Sequence, residues 1–429
     1  MEPERTQAPG RRRRIAVVGA GISGLAAAWL LSRAHDVVLF EAANRLGGHA
    51  RTLTVRTRGR HVPVDTGFIV FNRVNYPNLS RLFEHLRVPV RKSRMSFAVS
   101  VDGGRIEYGG GSLRALLAQP SNAARPAFWR MLRDIAEFNR TALADSTGDA
   151  GLTLRDVIRR RRLGPWFVRY YLLPMSGAIW STPRARMMDF PAGVLARFFD
   201  NHGLLSFSHH HQWWTVAGGS RQYVSKMAAD MPAQVRPGAA VEAVTRGPDG
   251  VNVKAAGQEA ETFDSVVLAC HSDTALEILH DCTRRERRIL ARIPYRRNRL
   301  VLHTDDRLMP RRRACWSSWV YLANSRPDED RATVTYWMNS LQGIPGVTPL
   351  FATLNPPIPV DDALILDEHT FEHPRFDFDA FAAQAQLPSI QGLSNTWYCG
   401  AWTGMGFHED GLASAIRVAG HFGVSPPWR

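Results

Sequence analysis

Cysteine is scarce in this chain, with four among 429 residues (Cys270, Cys282, Cys315 and Cys399) and no C-x-x-C pair. That excludes a zinc ribbon and a dense disulfide framework, and it fits a reducing cytoplasm. The 34 glycines follow no three-residue repeat, which excludes collagen. Acidic side chains are in deficit, 39 against 54 basic ones, for a formal charge of +15. Charge makes up only 22% of the residues and twelve are tryptophan, so the chain is not a disordered polymer. No G-x-S-x-G elbow and no P-loop is present, which leaves hydrolase and kinase readings without residues. No helix-turn-helix, zinc-finger or aromatic RNA-binding motif accompanies the basic charge, so no nucleic acid partner is expected. One long apolar run exists, residues 15–31, behind Arg11, Arg12, Arg13 and Arg14. Its flank resembles a twin-arginine export signal, but a span needs about 20 apolar residues and glycines interrupt this run at 19, 21 and 24.

The length suits two domains with sizeable cores. Residues 15–18 predict a strand, 19–24 a turn, 25–32 a helix and 37–40 a second strand. Asp102-Gly103-Gly104 marks a hairpin between strands at 95–101 and 105–108. Residues 112–180 predict helices punctuated by Pro120, Pro126, Gly151 and Gly164. Further strands are expected at 241–244, 251–254, 266–269, 300–303, 316–322 and 333–338, and a last helix at about 411–422. No repeat or low-complexity linker separates two halves, so the domains are expected to interleave.

Gly19, Gly21 and Gly24 spell G-x-G-x-x-G at the first strand–helix junction. The first makes the turn, the second lets backbone approach a pyrophosphate, and the third lets helix pack on strand. The helix start at Ile22 and Ser23 then offers free N–H groups and a positive dipole to phosphates. Glu41 ends the second strand, placed to accept from a ribose 2′-hydroxyl, and its charge disfavours a 2′-phosphate. These features together predict a dinucleotide site.

Glu41-Ala42-Ala43-Asn44-Arg45-Leu46-Gly47-Gly48 resembles the E-x3-R-x-G-G extension of the flavin-dependent amine oxidase and phytoene desaturase superfamily. The resemblance implies FAD, with Arg45 and the Gly47-Gly48 backbone along its pyrophosphate and Ala42 and His49 among the cofactor contacts. Val216-Ala217-Gly218-Gly219-Ser220, a helix, and then Val241-Glu242-Ala243-Val244 resemble the superfamily's third cofactor segment, with Val241 at the adenine. The stretch from Cys399-Gly400 to Gly411 resembles the closing segment, where the last helix points its N-terminus at the flavin; Gly400, Asp410, Gly411 and Leu412 are the contacts implied. Ala401 departs from the acid or hydroxyl that often follows this glycine. The implied fold is α/β: a Rossmann-like FAD-binding domain of the amine-oxidase and glutathione-reductase type (12–80, 212–290 and 392–429), interleaved with an α+β substrate domain (81–211 and 291–391).

The segments 64–78, 95–100 and 400–411 resemble a bacterial FAD-dependent oxidoreductase family often encoded beside cyclopropane-fatty-acid synthase. They also resemble the N-terminal oxidase-like domain of plant cyclopropane-fatty-acid synthases. That resemblance runs from Arg13 over nearly the whole chain, and it implies desaturation or double-bond isomerisation of a fatty-acyl chain carried on phospholipid. It also implies a cyclopropane-synthase-like methyltransferase as partner. Amine oxidation, and a non-catalytic flavoprotein role beside a lipid methyltransferase, are the alternatives.

Bulky aromatics suit a lipid: Phe68, Phe71, Tyr76, Phe97, Trp180, Trp213, Trp214, Tyr336 and Trp337. Phe71, Tyr336, Trp337 and Phe407 are the candidate substrate contacts, with Asn339 beside them, although any such residue taken singly is more often core. Arginine clusters at 11–14, 159–162, 284–288 and 311–313 would draw the protein to anionic headgroups on the inner membrane face; a solvated surface is the plainer reading. His408 is the candidate catalytic residue, as acid/base or substrate-orienting group, against a histidine bonded to the turn backbone. Glu409 and Asp410 are expected to cap the last helix, and Asp65 to order the Gly47-Gly48 loop. His209, His210 and His211 with His202 read as a polar loop, and no metal is expected, because three consecutive side chains converge poorly on one ion.

Overall fold

A computed structural model describes residues 11–57, 59–146, 151–180, 184–206, 211–323, 333–345 and 348–428. His209 and His210 lie outside them, and so does the side chain of Trp180. The chain opens with β1 (Arg14–Val18), α1 (Ile22–Leu31) and β2 (Asp36–Glu41). β1 is buried at four of its five positions, the pattern of a strand covered on both faces. It lies at the centre of a five-stranded sheet in the order Gln234–Pro237, β2, β1, Ser265–Leu268, Thr396–Tyr398, parallel throughout. α1 is buried at all ten positions, and a helix apolar all round must be enclosed. It packs between this sheet and the last helix, His408–His421.

Both helices begin three residues before the expected positions. The last helix extends back because Asp410 caps it from inside, its carboxylate accepting the N–H groups of Phe407 (2.9 Å) and Met405 (3.0 Å). His408 is therefore the first residue of a helix and not part of the preceding turn.

A second sheet has seven strands in the order Ile365–Pro374, Tyr295–His303, Phe351–Leu354, Thr333–Trp337, Trp319–Ala323, Phe97–Val101, Ile106–Gly109. Its pairs are antiparallel except Trp319–Ala323 with Phe97–Val101. The hairpin at Asp102 closes on three positive-φ residues, Asp102, Gly103 and Gly104. Strands of the five-stranded sheet fall within 12–80, 212–290 and 392–429, and those of the seven-stranded sheet within 81–211 and 291–391. A small sheet of Phe71–Asn72, Trp213–Val216 and Val90–Ser93 crosses between these groups. The helical stretch after Ser112 includes Pro126–Ser146, whose Phe128, Met131, Ile135 and Phe138 enter the same core as Val99 and Tyr108.

One buried ion pair fastens the C-terminal segment to the first sheet's outer layer. Glu286, fully buried, accepts from Arg246 at 2.5 Å, from the Tyr398 hydroxyl at 2.7 Å and from the N–H and hydroxyl of Thr283 at 2.8 Å. Burial pushes its carboxyl up, and the bonds from Arg246, Thr283 and Tyr398 overcome burial to hold it at about 2. Because this pKa lies below the unfolded value, the contribution is present above about pH 4.5 and is lost as pH falls toward 2. Glu286→Gln leaves Arg246 half-paired in the interior and is expected to cost about 3 kcal/mol in chemical denaturation at pH 7. At pH 3 the gap between variant and wild type should narrow.

Candidate active site

Gly19 leaves β1 at φ +99° with its N–H bonded to the Phe40 carbonyl. A Cβ on Gly24 would lie 1.7 Å from the Gly19 carbonyl oxygen, so α1 can sit on its own turn only with glycine there. Around Gly21 a Cβ would meet nothing within 4 Å, and this open space lies directly before the helix. The first intrahelical bond runs from Leu25 N–H to the Gly21 carbonyl, so the amides of Ile22, Ser23 and Gly24 precede the ladder. The Gly47-Gly48 loop folds back over this turn: Gly47 N–H donates to the Ala20 carbonyl, and a Cβ on Gly48 would lie 3.0 Å from Gly21 Cα.

Glu41 accepts from the N–H groups of Ala20 (2.7 Å) and Ala43 (2.8 Å), which leaves lone pairs on both oxygens for a ribose. Ala42 is exposed just beyond it, and Arg45, also exposed, donates to the Gly48 carbonyl at 2.8 Å. Val241, half-buried, opens the strand Val241–Gly247; the chain before it is tied here by bonds from Gly238 and Ala239 to the carbonyls of Ala43 and Glu41. The cradle, the free amides and the acid fit a dinucleotide pyrophosphate and its ribose.

The last helix closes the same space. A Cβ on Gly411 would lie 2.7 Å from Ser23 Oγ and 2.8 Å from Ile22 Cγ2, so the two helix starts meet only because this residue is glycine. Gly400 N–H donates to Ser414 Oγ, whose hydroxyl donates to the Gly411 carbonyl. Leu412 does not face this space: at 1% exposed it packs in the core with α1, as the helical register one step beyond Gly411 requires.

His408 stacks on Phe68 with ring centroids 3.9 Å apart, and its Nε2 lies 3.1 Å from the hydroxyl of the fully buried Tyr223. Phe68 reaches it because Gly67 lets the chain press on the His49 carbonyl, where a Cβ would clash at 2.0 Å. Burial lowers the His408 pKa to about 3, so the ring is neutral at pH 7. Burial disfavours the imidazolium and so makes the ring a weak proton acceptor, and the stack on Phe68 with the Tyr223 contact fixes its orientation.

The neighbouring acids are committed. Glu409 caps α2 (Pro77–His85) instead of its own helix, accepting from Asn78 N–H, Asn78 Nδ2 and Leu79 N–H at 2.7 to 3.0 Å. Asp65 accepts from Thr52, Ser220 and Gln342 and so fastens three distant segments, rather than bonding to Gly47 or Gly48. Burial raises its pKa to about 6 against those bonds.

Two of the expected substrate contacts are turned away. Phe71 is 2% exposed and packs between Tyr76 and Phe83 in the core. Tyr336 and Trp337 are consecutive in a strand and point to opposite faces: Tyr336 packs on Trp319, while Trp337 joins Trp316 and Phe351 behind the sheet. Phe407 is half-buried and stacks on Phe198 beside His202. Asn339 spends its amide on the backbone of Ile344, Thr348 and Leu350. Among the described residues no group of His, Cys, Asp and Glu is arranged to hold a metal ion.

A cluster of imidazoles was not foreseen. His369, Phe371 and His373 alternate along one face of Ile365–Pro374, with His49 5.4 Å from His373 and 4.9 Å from Phe371. His271 stacks on Tyr295 nearby. Burial lowers all four imidazole pKa values, that of His373 to about 4. The alternation H-x-F-x-H was the available signal, but nothing local links it to the Gly48 loop.

Parallel sheet, glycine cradle and acid at the second strand define the class, a dinucleotide-binding fold, beside which stands a second, mostly antiparallel sheet. The chain belongs to the flavin containing amine oxidoreductase family, which it matches over residues 22–354. It is an FAD-dependent oxidoreductase. Among solved structures it is similar to a CLA-producing fatty acid isomerase from P. acnes (TM-score 0.68, 16% identity, 97% of this chain and 100% of that one). It is similar as well to putrescine oxidase bound to putrescine (0.67, 16%, 96% and 99%) and to cyclohexylamine oxidase from Brevibacterium oxydans IH-35A (0.67, 16%, 96% and 100%).

Gly24→Ala is expected to lose FAD on purification, with affinity down at least about tenfold, while Gly420→Ala, where a Cβ meets nothing within 4 Å, should retain it. Flavin absorbance per protein measures both. The lowered His408 pKa carries a second expectation. The unfolded chain binds that proton below about pH 6.5 and the folded chain does not until about pH 3, so protonation costs stability in this window. His408→Phe keeps a ring on Phe68, and its melting temperature should gain on wild type as pH falls from 6.5 to 4; an unchanged gap would contradict a buried neutral imidazole.

Proposed function

We propose that this oxidoreductase acts on an unsaturated fatty-acyl chain, and that double-bond isomerisation fits its site better than desaturation. The observation that carries this reading is the pairing at His408: a neutral imidazole lies flat on Phe68 and is held by Tyr223, with Glu409 and Asp410 both spent on backbone amides. A protonated amine would gain from a free carboxylate, and an alkyl chain needs only apolar and neutral walls. The amine alternative also favours a lysine near the flavin, and the three lysines, Lys92, Lys226 and Lys254, are all unburied. The fatty acid isomerase among the similar folds accords with this reading, as the two amine oxidases accord with the other.

When bound, FAD supplies acceptance and return of a hydride. Ile22, Ser23 and Gly24 would hold its pyrophosphate through their amides, Glu41 its ribose, and Arg45 the adjacent charge. His408 and Phe68 would orient the acyl chain, while Phe407 and Phe198 continue the aromatic wall. Isomerisation asks the protein for no proton acceptor, whereas desaturation does, and His408 offers only a weak one.

The purified holoprotein is to be incubated with polyunsaturated fatty acids and their phospholipids, and the products read by mass spectrometry and diene absorbance. A product of unchanged mass with a conjugated diene is expected, reduced at least about tenfold by His408→Ala. A product lighter by two hydrogens would replace isomerisation with desaturation. Peroxide release from polyamines with no change in any lipid would overturn the lipid reading. Co-expression with a cyclopropane-synthase-like methyltransferase tests the proposed partner: a changed methyltransferase product that survives His408→Ala would support a non-catalytic role.

A further inference from the structure

Leu113 is the most exposed large apolar side chain among the described residues, at 77%, and Leu117 (39%) and Trp129 (51%), also exposed, follow it on a stretch of chain anchored at Glu107. Leu113 opens the short helix Leu113–Leu116 and Leu117 follows one turn later, on the same side. The other side of that turn is fixed: Ala115 is buried, and its carbonyl receives the Cys315 thiol. Gln119 and Asn122, both buried, bond to Glu107, so the chain leads directly into the helix Pro120–Ala123. The Ala123 carbonyl then accepts the Trp129 indole N–H at 2.8 Å. These three apolar groups are therefore held outward by a rigid scaffold and are not the loose end of a loop.

The charge around them is mostly basic, with Asp306, exposed and 3.4 Å from Arg313, the acid that faces outward beside it. Arg114 and Arg311 are exposed, as are the side chains of Arg130 (54%), Arg133 (72%) and Arg313 (68%). Two acids set among them face inward: Glu107 is fully buried and serves Arg312 and the Arg311 N–H, and Asp134 is 4% exposed. Exposed leucines and an indole, flanked by arginine, match the boundary of a bilayer. There acyl chains take the apolar groups, and headgroup phosphates take the guanidinium groups.

We propose that the stretch carrying Leu113, Leu117 and Trp129, with its flanking arginines, docks the protein on the surface of an anionic phospholipid bilayer. The inference extends the lipid reading by naming the face that meets the membrane. Its measurement is binding, so failure of the catalytic assay does not decide it.

The holoprotein is to be floated with vesicles of phosphatidylcholine alone or mixed equally with phosphatidylglycerol, at low and high salt. Binding to the mixed vesicles is expected at low salt, at least about tenfold weaker on phosphatidylcholine alone. Leu113→Glu combined with Trp129→Ala should reduce binding to the mixed vesicles by at least about tenfold, with flavin content and melting temperature held near wild type. Reversal of the exposed arginines on another helix, Arg284–Leu290 (Arg284→Glu, Arg285→Glu and Arg288→Glu), is the control for general charge and should reduce it much less. Equal binding of the double variant and wild type would overturn the proposal, as would loss of binding in the control alone. A wild-type dimer in solution that Leu113→Glu converts to monomer, without vesicle binding in either, would assign the stretch to a second copy and also overturn it.

Discussion

Two helices start at the same place in this protein, and the rest of the fold serves that approach. The N-termini of α1 and of His408–His421 meet with Gly411 against Ser23 and Ile22, at distances that leave no room for a methyl group. Each end carries the positive pole of a helix dipole and amides without intrahelical partners. Bringing two such ends together is unfavourable unless negative charge lies between or beside them. Asp410 supplies some of it from within the last helix, and Glu41 supplies some through the Ala20 N–H. The open space beside Gly21 has the room and the free amides that an anionic group would need, and a pyrophosphate bound there would complete the arrangement the backbone has set.

The carboxylates near the site act as fasteners. Asp65 joins Thr52, Ser220 and Gln342; Glu409 holds the start of α2; Glu286 ties Arg246 to Tyr398. Each links segments far apart in sequence, and each is thereby removed from chemistry. What stands beside the cofactor space is a set of neutral rings, with His408 on Phe68 and His49 near Phe371 and His373. These rings are neutral while the chain as a whole carries a surplus of arginine, so the space beside His408 is far less charged than the surface.

The cofactor end was legible because its logic is local. A turn that needs Gly19, an approach that needs Gly24 and an acid at the end of the next strand all lie within 23 residues, from Gly19 to Glu41. The wall beside it was less legible. Phe71 and Trp337 looked like pocket residues by type, yet a β-strand sends neighbours to opposite faces, and only pairing decides which face meets the site. Glu409 reads as a cap for the helix that contains it, and it caps another helix 331 residues earlier in the chain. The imidazoles of Ile365–Pro374 had no visible relation to the Gly48 loop until the fold set His373 beside His49.

The sequence by itself determined the glycine turn between the first strand and helix and the acid that ends the next strand, because steric limits on glycine and the dipole of a helix start act over a few residues. It determined the α/β class as well, through the strand, turn, helix and strand pattern of its first segment. Only the tertiary structure decided the state of His408. Its neutrality comes from burial, with Phe68 stacked on the ring and Tyr223, 185 positions away, packed beside it, and desolvation depends on which surfaces the fold closes together.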